Sequence, residues 1–237
     1  MTHPEATPEE TTAPGFQTAL WRDGYAIVPG VLNESAIAPL IGGYGDNRTF
    51  RSTITMSRHN YGSGEYRYYR YALPEVIDEI RHEWYRLLAP IANLWNEPTR
   101  NDERYPGELD AYLAACHEKG QPRPTPLILR FTQGDFNCMH QDVYGASAFP
   151  LQMTIMLSRR GADYDGGESV LLEQAPRLQA KPIVLTIDRG AGLIFPNRYR
   201  PRRNKAGQWA RYNVRHGVAM VTRGQRYALG IIFHDAQ

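Results

Sequence analysis

Residues 127–142 read Leu-Ile-Leu-Arg-Phe-Thr-Gln-Gly-Asp-Phe-Asn-Cys-Met-His-Gln-Asp. The opening run, residues 127–132, has the β-branched and aromatic texture of a strand. The stretch ends on His140-Gln141-Asp142, two metal-binding side chains separated by one residue. In an extended segment successive side chains point to opposite faces, so His140 and Asp142 project together while Gln141 points elsewhere. The same texture recurs downstream in short runs parted by glycine clusters: residues 151–158, 169–173, 183–187, 192–196, 213–221 and 226–234. Seven or more such strands predict a double-sheet jelly roll, that is, a double-stranded β-helix.

Upstream of residue 125 the pattern is mostly helical. Residues 21–29 read as a helix end, a break at Gly24 and a first strand. A helix over 34–44 has Asn33 as its N-cap. Residues 74–96 form the principal helix, because Val76, Ile77, Ile80, Trp84, Leu87, Leu88 and Ile91 recur every three or four positions. Pro90 is expected to kink or divide it. A shorter helix covers 107–119. The fold class predicted is therefore α+β, a jelly-roll core with N-terminal buttressing helices. Residues 1–15, rich in Thr, Pro and Glu, read as a disordered leader. Residues 16–237 read as one domain, helical over about 30–120 and jelly roll over about 125–235.

The chain has 237 residues, 42% of them apolar and 22% charged, which suits a soluble globular protein. No stretch approaches the roughly 18 apolar residues of a membrane span, so no membrane partner is expected. No secretory h-region is visible, and the cytoplasm is the expected compartment. Cys116 and Cys138 are too few for a disulfide framework. The net charge of +2 hides a local excess: Arg198, Arg200, Arg202, Arg203, Lys205, Arg211 and Arg215 occur without an intervening acid. Two readings apply to this basic loop: a solvated charge run balanced elsewhere, or an attractor of an anionic substrate or a nucleic-acid backbone. Nothing in the sequence sets the oligomeric state.

His140, Asp142 and the later His216 make two imidazoles and one carboxylate. This is the facial triad that holds catalytic Fe(II) and leaves coordination positions open, whereas structural zinc takes four protein ligands with more sulfur. Arg226 follows shortly after His216, and a guanidinium pairs with a carboxylate through two parallel hydrogen bonds. The order of features continues with Asp165-Gly166-Gly167-Glu168 as a turn, GAGLIF over 190–195 as a strand, and Gly224-Gln225-Arg226-Tyr227. Over roughly residues 125–235 the chain resembles the Fe(II)/2-oxoglutarate dioxygenase superfamily.

A closer resemblance starts near residue 20. Arg123-Pro124-Thr125-Pro126, Asp135-Phe136-Asn137-Cys138-Met139-His140-Gln141-Asp142, Phe149-Pro150-Leu151-Gln152, Gly166-Gly167-Glu168 and Leu229-Gly230-Ile231-Ile232-Phe233-His234-Asp235 resemble a bacterial family of 2-oxoglutarate/Fe(II) oxygenases. That family is described, by analogy, as acting in oxidative dealkylation of damaged DNA. The resemblance implies Fe(II), 2-oxoglutarate and O2, with iron held by His140, Asp142 and His216 and the distal carboxylate of 2-oxoglutarate held by Arg226. It also implies that Gln152, Thr154 and Met156, sharing one strand face, point inside against the cosubstrate. The competing reading leaves Gln152 and Thr154 facing water. Ala228 stands where Ser or Thr is more usual, so another group must supply a hydroxyl, and Phe131 stands where related hydroxylases often have tyrosine.

The candidate substrate contacts are Asn137, Tyr144, Arg198 and Arg200. Cys138 shares the alternation of His140, which puts it near the metal or in the core as a small hydrophobe. His234 is a weaker ligand candidate, and His59, His82 and His117 read as structural or exposed. The segment 48–71 interleaves Arg51, Arg58, His59, Arg67 and Arg70 with Tyr61, Tyr66, Tyr68, Tyr69 and Tyr71. Such a segment either contacts substrate or packs on the barrel. The leading expectation is an oxygenase that hydroxylates a C–H bond of a small polar or anionic metabolite, releasing succinate and CO2. The alternatives are dealkylation of alkylated nucleic-acid bases, a non-catalytic jelly-roll binding protein, and a zinc hydrolase using the same three ligands.

Overall fold

The computed structural model describes residues 15–142, 145–204 and 206–237. Helices α1 (Phe16–Asp23), α2 (Glu34–Gly42), α3 (Glu75–Asn96) and α4 (Leu109–Glu118) all precede residue 125. Gly24 ends α1 by taking a left-handed φ of 82°, which returns its N–H to the Leu20 carbonyl. At the start of α2 the Asn33 side chain accepts from the Ala36 N–H at 3.0 Å, the cap the sequence predicts. Helix α3 is assigned unbroken through Pro90. Pro90 and Arg86, whose carbonyl loses its helical donor, are both exposed, so water can satisfy that carbonyl.

The strands are β1 (Ala26–Val28), β2 (Phe50–Thr55), β3 (Gly62–Ser63), β4 (Glu65–Tyr69), β5 (Leu127–Thr132), β6 (Phe136–His140), β7 (Leu151–Met156), β8 (Tyr164–Gly166), β9 (Ser169–Gln174), β10 (Lys181–Leu185), β11 (Gly192–Pro196), β12 (Tyr199–Arg203), β13 (Trp209–Val218) and β14 (Val221–Ile232). They form two antiparallel sheets, ordered β1-β11-β7-β14-β5-β4-β2, with β8 also paired to β14, and β10-β9-β13-β6-β3, with β12 also paired to β13. This is the predicted jelly roll. The region before residue 125 is less helical than its sequence suggests, because β2, β3 and β4 come from it. The Tyr/Arg-rich segment 48–71 supplies these strands, extending both sheets.

Period-two alternation in the larger sheet makes two cores. Met153, Ile155, Leu229 and Ile231 point outward and join Ile77, Trp84 and Leu88 of α3 in one buried cluster. Full burial of such side chains is worth about 1.5–3 kcal/mol each. Phe131, Met156, Leu171, Phe195 and Val214 form the second cluster, inside the roll. The helices thus brace one outer face, leaving the inner face free for a site.

One buried ion pair ties the chain's end to the helices. Arg81 Nη2 donates to Asp235 Oδ1 at 2.8 Å, and both side chains are buried. Arg81 Nε donates to the Ile232 carbonyl at 3.0 Å, while the Tyr71 hydroxyl and His117 Nε2 each reach Asp235 Oδ2 at 2.8 Å. Replacing Asp235 with Asn leaves the Arg81 cation buried beside neutral partners only. We expect a loss of about 3 kcal/mol of stability, read as a lowered denaturant midpoint. An unchanged midpoint would show that solvent reaches the guanidinium.

Candidate metal centre and its cavity

The site begins with an irregularity in the pairing of β6 and β13. His216 lies opposite His140, but Val218 lies opposite Asn137, so three steps along β6 match two along β13. This bulge shifts alternation by one residue. Asn137 and His140 consequently both line the cavity, whereas Cys138 is exposed. The expectation that Cys138 shares the face of His140, or packs as a small core residue, is corrected by the bulge. Gly217 accompanies it, since a Cβ there would lie 2.7 Å from the Asn137 carbonyl oxygen.

His140, Asp142 and His216 offer one ligand atom each, all within 4.8 Å of one another. Asp142 Oδ1 is 3.5 Å from His140 Nε2, and Oδ2 is 3.1 Å from His216 Nε2. His140 Nδ1 lies 2.7 Å from the Cys138 carbonyl, so that nitrogen carries the proton and Nε2 is left with a lone pair. Burial alone would raise the Asp142 pKa, yet His216 and His140 hold it well below the usual carboxylate range. Burial pushes His216 below the usual imidazole value despite Asp142. Burial opposes protonation of His140 too, but Asp142 outweighs it and the value ends raised. The donor set, one carboxylate and two imidazole nitrogens, fits a divalent ion of the Fe(II) type.

Beneath this cluster lies Arg226 on β14, 1% exposed. Its Nη2 is 3.5 Å from Ser169 Oγ, its Nε has no hydrogen-bond partner, and its guanidinium sits 5.6 Å from the Phe131 ring centre. No carboxylate among the described residues pairs with it, although buried arginines normally have an acid partner. Gly167 gives it room: at φ +62° its missing Cβ would stand 2.9 Å from Arg226 Cδ. The cavity joining Arg226 to the triad has a volume of about 270 Å³ and is lined by Gln152, Thr154 and Ala228 among others. Gln152 and Thr154 thus face the cavity rather than bulk water, while Met156 belongs to the inner core beyond it. Gln152 Nε2 and Asn137 Oδ1 are buried without partners. A cation without an acid partner and an unpaired donor and acceptor in one cavity fit an anionic ligand carrying further polar atoms.

The remaining candidates separate. Arg200 is 1% exposed; its Nε donates to Glu173 Oε2 at 2.6 Å and its Nη1 to the Trp21 carbonyl at 3.2 Å. It lines a different pocket, so it is a structural arginine rather than a substrate contact. The basic run is a hairpin, β12 paired with β13, rather than a loop. Arg202 binds the other oxygen of Glu173 at 2.6 Å, Arg203 covers Trp209, and Arg211 donates to the Thr99 carbonyl at 2.6 Å. Glu173 is remote in sequence, which is why the run looks uncompensated. Arg198 is exposed, and its carbonyl accepts from Gln141 Nε2 at 2.7 Å, which fixes its backbone beside the mouth. Tyr144 lies outside the described residues. His234 is outside the triad; its Nδ1 accepts from the Phe149 N–H at 3.2 Å, and burial, aided by Arg81, pushes its pKa down to about 4.

Sequence reasoning left the role of the segment 48–71 open. Tyr61, Tyr66 and Tyr68 line the cavity. Tyr61 is 44% exposed and stacks between His140 (centroids 6.5 Å, planes 29° apart) and His59 (6.0 Å, 25°). The Arg51 guanidinium lies 4.4 Å from the Tyr68 ring centre. Rings therefore run from a triad histidine to the surface.

Fold and site together define an Fe(II)- and 2-oxoglutarate-dependent oxygenase. The chain belongs to the family described as "Oxygenase, catalysing oxidative methylation of damaged DNA", whose model matches residues 64–236. The uncharacterized proteins Rv2227 and MT2286 of Mycobacterium tuberculosis are each 43% identical over 164 residues, covering 69% of this chain and 70% of theirs. A Pseudomonas putida prolyl-4-hydroxylase shares the fold at TM-score 0.53 and 13% identity, with 94% of this chain and 97% of that one covered. So does a Burkholderia pseudomallei oxidoreductase of the 2OG-Fe(II) oxygenase family, at TM-score 0.51 and 16% identity over 96% and 94%. Membership of an oxygenase family displaces the zinc-hydrolase and non-catalytic expectations. No helix of the described residues is long and apolar enough to cross a membrane.

Proposed function

We propose that His140, Asp142 and His216 hold Fe(II), that Arg226 receives the distal carboxylate of 2-oxoglutarate, and that a ring-bearing substrate enters past the tyrosines. The observation that carries this reading is a fully buried arginine without an acid partner beneath a His-Asp-His cluster. When bound, iron and the keto acid supply the power to insert one oxygen atom of O2 into a C–H bond, the keto acid leaving as succinate and CO2. The chain's own residues orient and exclude water. Gln152 and Thr154 line the cosubstrate side, and Asn137 stands one register row below His140 and His216.

The mouth favours an alkylated nucleobase. Tyr61 and His59 offer flat faces, and base–aromatic stacking is worth about 1–3 kcal/mol per base. Arg51 brings positive charge against the cavity-lining Tyr68. Hydroxylation of an N-methyl carbon gives a hemiaminal that collapses to the N–H base and formaldehyde, which turns a hydroxylase into a dealkylase. Two observations support a small polar or anionic metabolite instead: the cavity is only about 270 Å³, near the low end for ligand sites, and most arginines of the β12–β13 hairpin are engaged internally. The test is formaldehyde and succinate release from N-methylated single-stranded oligonucleotides and from the free methylated nucleosides, at several salt concentrations. The base reading expects the oligonucleotide to be preferred, with an affinity that falls by a slope of about −0.7 per phosphate contacted. Equal use of both, with no salt slope, would transfer the assignment to small molecules.

A further inference from the structure

We infer that Gln141, between His140 and Asp142, is a positioning residue: its side chain splices three strands and so fixes the Asp142 carboxylate against His216. The inference rests on the metal assignment made above and concerns what sets the geometry of that site. Strands β6 and β12 lie end to end along one side of β13. His216 is opposite both His140 of β6 and Leu171 of β9, and Asn213 is opposite both Tyr199 of β12 and Gln174 of β9. With β9 on one side throughout, the other side changes partner at Val214 and Arg215. Strand β6 ends at His140, so Asp142 is carried beyond the last backbone pair.

Gln141 closes that gap with its side chain. Its Nε2 donates to the Val214 carbonyl at 2.8 Å and to the Arg198 carbonyl at 2.7 Å, and the Val214 N–H donates to the same Arg198 carbonyl at 2.7 Å. Only the amide nitrogen can serve two carbonyls, which fixes the orientation of the group. A side-chain amide thus continues the ladder in place of the backbone. Its anchor on β13 lies two residues, about 7 Å along the strand, from His216, and its own backbone carries a ligand on either side. Any shift of Gln141 therefore moves His140 and Asp142 relative to His216. Backbone pairing near the ligands is sparse. The register pairs between β6 and β13 are His216 with His140 and Val218 with Asn137, parted by the bulge, and β3 pairs with Phe136 and Asn137, away from the ligand end. The 3.1 Å approach of Asp142 Oδ2 to His216 Nε2 is thus set across a junction that a side chain holds. In this role Gln141 acts through its neighbours rather than on the ion.

The experiment titrates the full chain with Co(II), recording affinity and the visible ligand-field spectrum of the saturated protein, and follows thermal unfolding without metal. Gln141→Met keeps the length of the side chain and removes both donors. Its Co(II) dissociation constant should rise about tenfold, the lower end of the cost of losing an outer partner of a metal ligand, and its saturated spectrum should differ from wild type. Gln141→Asn keeps the amide one methylene short of the two carbonyls and should change the spectrum in the same sense, which preserves the test if the methionine variant does not fold. Glu173→Gln is the control for a merely structural role, because it loosens the same hairpin by breaking the ion pairs with Arg200 and Arg202. It should lower the melting temperature while leaving Co(II) affinity and spectrum at wild-type values. Wild-type affinity and spectrum in Gln141→Met, or the same spectral change in Glu173→Gln, overturns the inference. If the wild type itself binds no Co(II), the metal assignment fails, a result distinct from failure at Gln141.

Discussion

His216→Ala is expected to abolish oxygen insertion and to reduce Fe(II) affinity by more than about a hundredfold, a range already reached when only the outer partner of a ligand is lost. The same holds for Asp142→Ala, with an added cost: the carboxylate is what His140 and His216 both face, at 3.5 and 3.1 Å. Without it two imidazoles converge on a cavity whose charged side chain is the Arg226 cation, with no negative charge beside them to balance a divalent ion. The wild type should also show a characteristic dependence on acid. A ligand imidazole must be neutral. Asp142 raises His140 above the ordinary 6.5, so a proton competes for its Nε2 as pH falls through that value. Burial holds His216 lower, so it adds no second proton in the same range. Metal affinity should therefore fall by up to about tenfold per pH unit once pH drops below the His140 value, each bound ion there displacing a proton. Titration with Fe(II) or Co(II) between pH 8 and 6 measures this. An affinity independent of pH would mean that His140 is not a ligand.

Much of the site is legible in the sequence because metal chemistry restricts residue types so tightly. His140, Asp142 and His216 can be read from donor type and order, and all three meet. Strands β5 and β11 match their sequence expectations at both ends because their apolar runs are bounded by Thr, Gly and Pro. Polar strands hide better. Strand β6 is half-exposed, has no apolar period, and contains a bulge that invalidates strict alternation, which misplaces Cys138 and conceals why Asn137 enters the cavity. Strands β2 and β4 are written in Arg, Thr and Tyr, residues that suit a strand but also suit a surface loop. The arginines of β12 show the opposite failure. Their acid partner, Glu173, becomes adjacent only when β9, β12 and β13 pair, so a sequence reading sees unbalanced charge where the fold has a buried ion pair. The orphan state of Arg226 is likewise a property of the fold alone.

Arg226→Met should separate binding from stability more sharply than any other change in this chain. A buried cation without an acid partner is costly to the folded protein, since desolvation is not repaid. Burial already depresses the pKa of this guanidinium, the same penalty seen through protonation. Methionine fills comparable space with no charge, so the ligand-free variant should be at least as stable as wild type, by about 1 kcal/mol or more in favourable packing. Binding should move the other way. Loss of the charge-assisted pair should cost about 2 kcal/mol or more, roughly thirtyfold in the dissociation constant of 2-oxoglutarate. Mass action then couples the two effects: a ligand at 100 times its dissociation constant stabilises the wild type by about 2.7 kcal/mol, and the variant at that concentration gains much less. Thermal unfolding of the Fe(II)- or Zn(II)-loaded protein, with and without 2-oxoglutarate, therefore yields a crossed pattern: the variant melts higher alone and lower with cosubstrate. Arg226→Lys should bind weakly, because a single ammonium cannot reproduce the planar fork. Retained affinity in Arg226→Met would require another cation in the cavity. Arg215 does not meet that requirement, since it is exposed on β13 with its side chain opposite in sense to His216. The result would then force the anchoring carboxylate contact elsewhere and leave the buried charge of Arg226 without a ligand to explain it.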